Sequence, residues 1–325
     1  MREPRRARVW SWIFPLVLAA VLLYFALHGV DWRRVWSLIV HADARLLCTA
    51  ALATCLTYFL RALRWRVVLT AEAAFSVGTV FSANMAGYLG NSFLPARAGE
   101  VIRSFILSSR SPLSKTYVLT TALAERTIDA VVLVLWASLV LLGVNPKPAW
   151  LRDISWGTTA MAMAGVLAIS ILPRTGKLCE SIIGSIPLPS GIRQRLLHLA
   201  GQVLSGLRVF HDARRLAGFA VLTLAIWIID AGGAMIGARA FGLPVTYPMA
   251  ILLICGLGLG SAIAPTPGYV GTYQTVAIAV LTPFGISRDG ALAYILVAQA
   301  LGYVVVLVLG LPAILRDRVW NRARD

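Results

Sequence analysis

The chain has 325 residues, 58% hydrophobic and 14% charged, with a mean hydropathy of +0.78. These proportions exclude a soluble globular domain and describe a chain that crosses a membrane several times. The charge is lopsided, 30 Lys and Arg against 14 Asp and Glu. The arginines are scattered between apolar runs and not collected on a soluble domain, which points to anionic lipid headgroups and away from nucleic acid. Cys48, Cys55, Cys179 and Cys255 are isolated, and His28, His41, His198 and His211 lack ligand spacing. Neither a disulfide framework, a metal site nor a cofactor is expected.

In chain order, Arg2, Arg5, Arg6 and Arg8 precede an apolar run from Val9 to about His28. That run is long for a secretory h-region and lacks a small-x-small cleavage site, so it reads as a retained signal anchor. Runs long enough to cross about 30 Å of hydrocarbon follow near 46–66, 117–143, 157–172, 216–241 and 290–315. Two further apolar regions, 75–110 and 248–283, are broken by Asn91-Ser92-Phe93-Leu94-Pro95-Ala96-Arg97-Ala98-Gly99-Glu100 and by Ala264-Pro265-Thr266-Pro267-Gly268-Tyr269-Val270-Gly271. Backbone that stops being helical at membrane depth survives only against protein or around a water-filled cavity. The expected fold is therefore an all-α polytopic membrane protein of about six transmembrane helices plus two re-entrant helical hairpins, broken at Pro95, Gly99, Pro265, Pro267, Gly268 and Gly271.

Arginine placement sets the orientation. The N-terminus, 61–66, 97–115, 173–215 and 316–324 are the Arg-rich places, and all fall on the cytoplasmic side if the first hairpin faces the cytoplasm. Both termini are then cytoplasmic, in a cytoplasmic (inner) membrane. The outer loop 29–45, with Arg33, Arg34 and Arg45, departs mildly from the rule. In this topology 46–143 and 216–315 form an inverted repeat in which Pro95 and Pro265 are equivalent, each 49 positions from its unit's start. Residues 1–45 form the anchor and outer loop, 144–215 a connecting span and linker, and 316–325 a basic tail. From Ser190 the linker alternates apolar and basic residues at helical spacing, as for a helix lying on the cytoplasmic surface.

Ionisable residues inside a bilayer cost at least about 2.5–3.5 kcal/mol each, which makes them functional candidates. Arg97, Glu100 and Arg103 lie at the first break, Glu100 and Arg103 on one helix face, where an anion would find free amides and guanidiniums. Glu125 and Asp129 share a face with Arg126 within reach. Their excess negative charge calls for Arg97, Arg103 or Arg61, and the cluster suits a relay, a gate or a structural pairing network. Arg61, Arg64, Trp65 and Arg66 read first as interface anchors, and Arg61 and Arg64 also as receivers of a lipid phosphate. Asp230, near mid-span, should face an arginine or a bound cation. Gly256, Gly258 and Gly260 lack the Walker context and fit close helix packing.

Arg61-Ala62-Leu63-Arg64-Trp65, Pro95 through Arg103, Glu125-Arg126-Thr127-Ile128-Asp129 and Pro265-Thr266-Pro267-Gly268-Tyr269-Val270-Gly271 together resemble the lysylphosphatidylglycerol synthase transmembrane, or flippase-like, family across nearly the whole chain. In bifunctional members such a membrane unit moves an aminoacylated phospholipid between leaflets, while a separate soluble domain makes it. The 325 residues are accounted for by membrane segments, so aminoacyl transfer, and enzyme activity in general, is not expected. Where the family's Pro-Gly-Gly motif has a second glycine and a later acid, this chain has Tyr269 and Gln274. Stand-alone relatives near polyprenol-glycan and hopanoid pathways place an isoprenoid lipid beside a phospholipid as substrate.

The resemblance thus implies a lipid translocase that moves an anionic phospholipid or an isoprenoid-linked lipid across the cytoplasmic membrane. Arg61, Arg64, Arg97, Glu100 and Arg103 would bind the headgroup, and Glu125, Arg126, Asp129 and Asp230 would gate it. Membrane lipids, and enzymes of lipid synthesis, are the expected partners. Two alternatives stand beside this reading: a polyprenyl-phosphate-dependent glycosyltransferase, for which the first outer loop offers only Asp31 and Asp43, and a non-transporting scaffold of a lipid-synthesis complex.

Overall fold

The computed structural model describes residues 5–94, 98–143, 212–263 and 266–322, with 193, 194 and 197. Ten α-helices and no strand occur among the described residues: α1 (Arg5–Leu27), α2 (Trp32–Val40), α3 (Ala44–Leu69), α4 (Val77–Phe93), α5 (Gly99–Ser108), α6 (Lys115–Gly143), α7 (Ala213–Arg239), α8 (Tyr247–Ile263), α9 (Thr272–Leu281) and α10 (Arg288–Arg322). The expected 157–172 span and nearly all of the amphipathic linker lie outside the described residues, as do Pro95, Arg97 and Pro265.

Four helices are long and apolar enough to cross a membrane: α3, α6, α7 and the Arg288–Pro312 part of α10. The second half of α1 qualifies only together with α2, which leaves it at 89°. Helix α2 lies within 29–45, the segment expected as an outer loop, and is an element that the apolar pattern does not predict. Asp31 starts it by accepting from the backbone N–H groups of Arg33 (3.0 Å) and Arg34 (3.3 Å). Asp43 starts α3 in the same way, accepting from Arg45 (2.8 Å) and Leu46 (3.4 Å). Each such cap satisfies helix-end amides and contributes about 0.5–2 kcal/mol.

A pattern of lengths recurs. Helices α3 to α6 have 26, 17, 10 and 29 residues, and α7 to α10 have 27, 17, 10 and 35. Packing recurs with it: α4 lies against α5 as α8 lies against α9, and α4 against α10 as α8 against α6. Helices α3 and α7 form the most extensive pair and run antiparallel, since Ala50 lies by Gly237, Ala53 by Gly233, Arg64 by Thr223 and Thr70 by Arg215. Small residues permit this approach: a Cβ on Gly233 would stand 3.2 Å from that of Ala53. Gly256 and Gly260 serve α9 similarly, each position lying 2.9 Å from Val276.

Each half has its own apolar cluster. Trp65, Leu69, Val80, Leu107 and Val118 join α3 to α6, whereas Leu253, Ala277, Leu281, Leu292 and Ile295 join α8 to α10. Leu133 and Leu141 of α6, with Trp227 of α7 and Ile251 of α8, bridge the two.

Candidate functional site

Each hairpin is held at its break by side chains. In the first, α4 ends at Phe93 and α5 starts at Gly99. A Cβ on Gly99 would lie 1.8 Å from the carbonyl oxygen of Gly87, so only glycine allows this crossing. Asn91 accepts from the Gly99 N–H at 2.9 Å and donates to Glu100 at 3.4 Å. In the second, Gly268 and Gly271 have φ of 61° and 82°, values that glycine adopts without strain. Gln274 accepts from the Gly271 N–H at 2.7 Å and donates to Gln299 at 2.6 Å. Gln299 in turn donates to the Gly268 carbonyl at 2.7 Å, and Tyr303 donates to that same oxygen. A side-chain amide braces each break, Asn91 together with the carboxylate of Glu100 at the first and Gln274 with Gln299 at the second.

Between α3, α5, α6 and α7 four guanidiniums meet four carboxylates. Arg64, 0% exposed, donates to Glu125 at 2.8 Å and to Asp129 at 2.6 Å. Arg103 pairs with Glu100 at 2.5 Å and Glu125 at 3.1 Å. Arg126 pairs with Glu100 at 2.9 Å and Asp129 at 3.6 Å. Arg61 pairs with Asp230 at 2.7 Å and reaches toward Asp129 at 3.8 Å. Every one of these arginines also stacks on a ring: Arg61 on Trp227 (4.9 Å), Arg64 on Phe219 (5.0 Å), Arg103 on Trp65 (4.5 Å) and Arg126 on Tyr88 (5.6 Å). Left unpaired in hydrocarbon, eight such charges would cost on the order of 20 kcal/mol at about 2.5–3.5 each, more than a domain's whole stability of about 5–15 kcal/mol. Their mutual pairing offsets that cost.

A cavity of about 360 Å³ opens beside this network. Asn91 and Ser92 from the first break line it, as do Tyr269 and Tyr273 from the second, with Arg61, Arg126 and Asp230 on its charged side. Tyr58 and Tyr88, their ring centroids 4.8 Å apart, add an aromatic wall.

Among the residues singled out in the sequence, Arg61, Arg126 and Asp230 line the cavity, while Arg64, Glu100, Arg103, Glu125 and Asp129 lie behind it, buried. Pro267, Gly268 and Gly271 shape the second break and Gly99 the first. Arg64 and Trp65 are not interface anchors. Both are 0% exposed, because two carboxylates supply the guanidinium with the partners that interfacial water would otherwise provide. Arg64 is also the main counterion of Glu125 and Asp129, a role the sequence did not give it; of the expected partners, Arg103 pairs with Glu125 at 3.1 Å and Arg61 lies 3.8 Å from Asp129. Sequence reasoning missed Asn84, which accepts from Arg103 at 2.7 Å, the cavity-lining Tyr58, Tyr88 and Tyr273, and Gln299, which braces the second break. The seven-residue spacing of Asn84 and Asn91 on an apolar helix was the available signal.

An all-helical membrane protein with two broken helical hairpins meeting at a cavity beside a buried ion network is the class that fold and site define. Residues 12–310 match the family described as the lysylphosphatidylglycerol synthase TM region, and the chain belongs to that family. It is also similar to the glycosyltransferase AglD of Haloferax volcanii, 25% identical over 96% of this chain and 55% of that protein. A UPF0104 membrane protein of Pyrococcus horikoshii is 23% identical over 94% of this chain and 96% of its own length. The chain thus spans about half the length (55%) of the first of these relatives.

Proposed function

We propose that this protein is a lipid translocase that moves a phosphate-bearing lipid, a phospholipid or an isoprenoid-linked one, across the cytoplasmic membrane. The observation that carries the reading is the cavity bounded by both helix breaks, with Arg61, Arg126 and Asp230 on its wall. Interrupted helices placed by repeated units around one site are the arrangement of alternating-access transporters. The repeated helix lengths and the antiparallel α3–α7 pair favour inverted units. Arg61 and Arg126 take the phosphate, Asp230 and Glu100 compete for those arginines as the gate, and Arg64 and Arg103 hold Glu125 and Asp129 in place. Arg97, a headgroup candidate from the sequence, lies outside the described residues.

The test is leaflet exchange of fluorescent lipids in liposomes holding the purified protein. Glu100→Gln should slow exchange about tenfold or more, the worth of a hydrogen bond to a charged group, while the protein stays folded. Wild-type flux in that variant would remove Glu100 from the mechanism, and no exchange of any lipid by wild type would end the reading. The second reading, a glycosyltransferase, draws on the similarity to AglD. Its candidate acids, Asp31 and Asp43, are engaged as caps at the starts of α2 and α3, which ranks it second.

A further inference from the structure

Tyr269 has a backbone φ of 61°, a conformation that a bulky residue holds only where its surroundings compel it. Glycine would occupy the position without strain. What the strain secures is the side chain, whose ring stacks on Tyr273 with centroids 5.0 Å apart and planes within 9°, both rings lining the cavity. Trp227 and Asp230, one turn apart on α7, line it too.

Arg61 occupies a distinctive place there. Its guanidinium lies 4.9 Å from the Trp227 ring centroid and 2.7 Å from Asp230, with a second carboxylate, Asp129, 3.8 Å away. A ring face and a carboxylate are what a bound ammonium seeks, and Arg61 has another partner to move to. Charge balance narrows the occupant. The four arginines and four carboxylates of the described network cancel. A headgroup adding only negative charge would leave that charge uncompensated in low dielectric, whereas one bringing its own ammonium would not. The cavity of about 360 Å³ sits at the small end of ligand sites, about 300–1,000 Å³, and suits a short headgroup.

We propose that the cavity selects a short zwitterionic phospholipid headgroup. Its ammonium displaces Arg61 from Asp230 and lies against Trp227, Tyr269 and Tyr273, and its phosphate pairs with Arg61 and Arg126. That the occupant is a lipid rests on the translocase reading; the choice of headgroup rests on this geometry.

The experiment compares exchange of fluorescent phosphatidylethanolamine and phosphatidylglycerol by the full chain in liposomes. Wild type should move the ethanolamine lipid about tenfold faster, the discrimination of one hydrogen bond to a charged group. Asp230→Asn should lower the ratio of the two rates by a similar factor. Tyr269→Gly should lower the ratio as well while melting no lower than wild type, since it releases backbone strain; a merely structural tyrosine would lower melting and leave the ratio. Equal rates in wild type, a preference for the glycerol lipid, or equal slowing of both lipids by Asp230→Asn overturns the proposal. If neither lipid moves, the translocase reading fails, and calorimetric titration of soluble glycerophosphoethanolamine against glycerophosphoglycerol decides the headgroup. Preference for the former, lost in Asp230→Asn, supports the proposal; no preference overturns it. Should Asp230→Asn fail to fold, the wild-type preference and Tyr269→Gly carry the decision.

Discussion

Arg64→Met exchanges a fully buried guanidinium for a shorter, unbranched neutral side chain. Arg64 donates to Glu125 from two nitrogens (3.1 and 2.8 Å), to Asp129 from two (2.6 and 2.8 Å) and to Thr223 at 3.1 Å. Without it Glu125 keeps Arg103 at 3.1 Å, and Asp129 is left with Arg126 at 3.6 Å and Arg61 at 3.8 Å. Breaking a buried pair by removing one partner costs about 3–5 kcal/mol, because a charge remains without compensation. At about 2–4 °C per kcal/mol for chains of roughly 150–250 residues, the melting transition in detergent should fall on the order of 10 °C. Thermal denaturation followed by circular dichroism measures it, beside Arg34→Met, an exposed arginine whose loss should move melting little. Adding Asp129→Asn to Arg64→Met should restore part of the loss, since the stranded carboxylate goes with it. Arg64→Lys should rescue poorly, for an ammonium cannot span two carboxylates while stacking on Phe219. Melting of Arg64→Met level with Arg34→Met, or strictly additive losses in the double variant, would refute the view that this network is a single interlocked unit.

Gly99→Ala should abolish a monodisperse peak in size-exclusion chromatography, because the new Cβ meets the backbone of Gly87 at 1.8 Å and backbone cannot give way. Gly258→Ala, which meets the far end of Leu133 at 2.5 Å, should cost less, and Gly302→Ala, with nothing within 4 Å, should match wild type. Gln274→Leu should destabilise by about 1–3 kcal/mol by stranding the buried Gly271 N–H, read as a lower melting temperature together with faster amide hydrogen exchange across 268–274. Unchanged exchange there would show that the amide chain does not hold the second break.

Much of this molecule is legible along the chain. Apolar length marks α3, α6, α7 and α10, because crossing hydrocarbon demands it. Pro267, Gly268 and Gly99 mark the breaks, since few other residues permit them. The cost of burying charge singled out Glu100, Arg103, Glu125, Arg126, Asp129 and Asp230 before any contact was known, and spacing along one helix paired Glu100 with Arg103 and Arg126 with Asp129. Helix α2 was missed because nine residues carrying two arginines lack the apolar length that signals a span, and its start depends on one aspartate.

Partnership across the fold is what one dimension does not hold. Periodicity places Arg64 on a helix face but says nothing of which helix covers that face. The antiparallel docking of α7 on α3, with α6 alongside, turned an apparent interface anchor into the hub of the network and set Arg61 against Asp230, 169 positions away. Likewise Gln274 is one polar residue beside Thr272 and Thr275 until α10 brings Gln299 to it. Segment identity follows from what each stretch costs to place in a bilayer, a local quantity. Pairing follows from which faces must cancel one another's charge and hydrogen-bonding demands, and that is decided only when the helices pack.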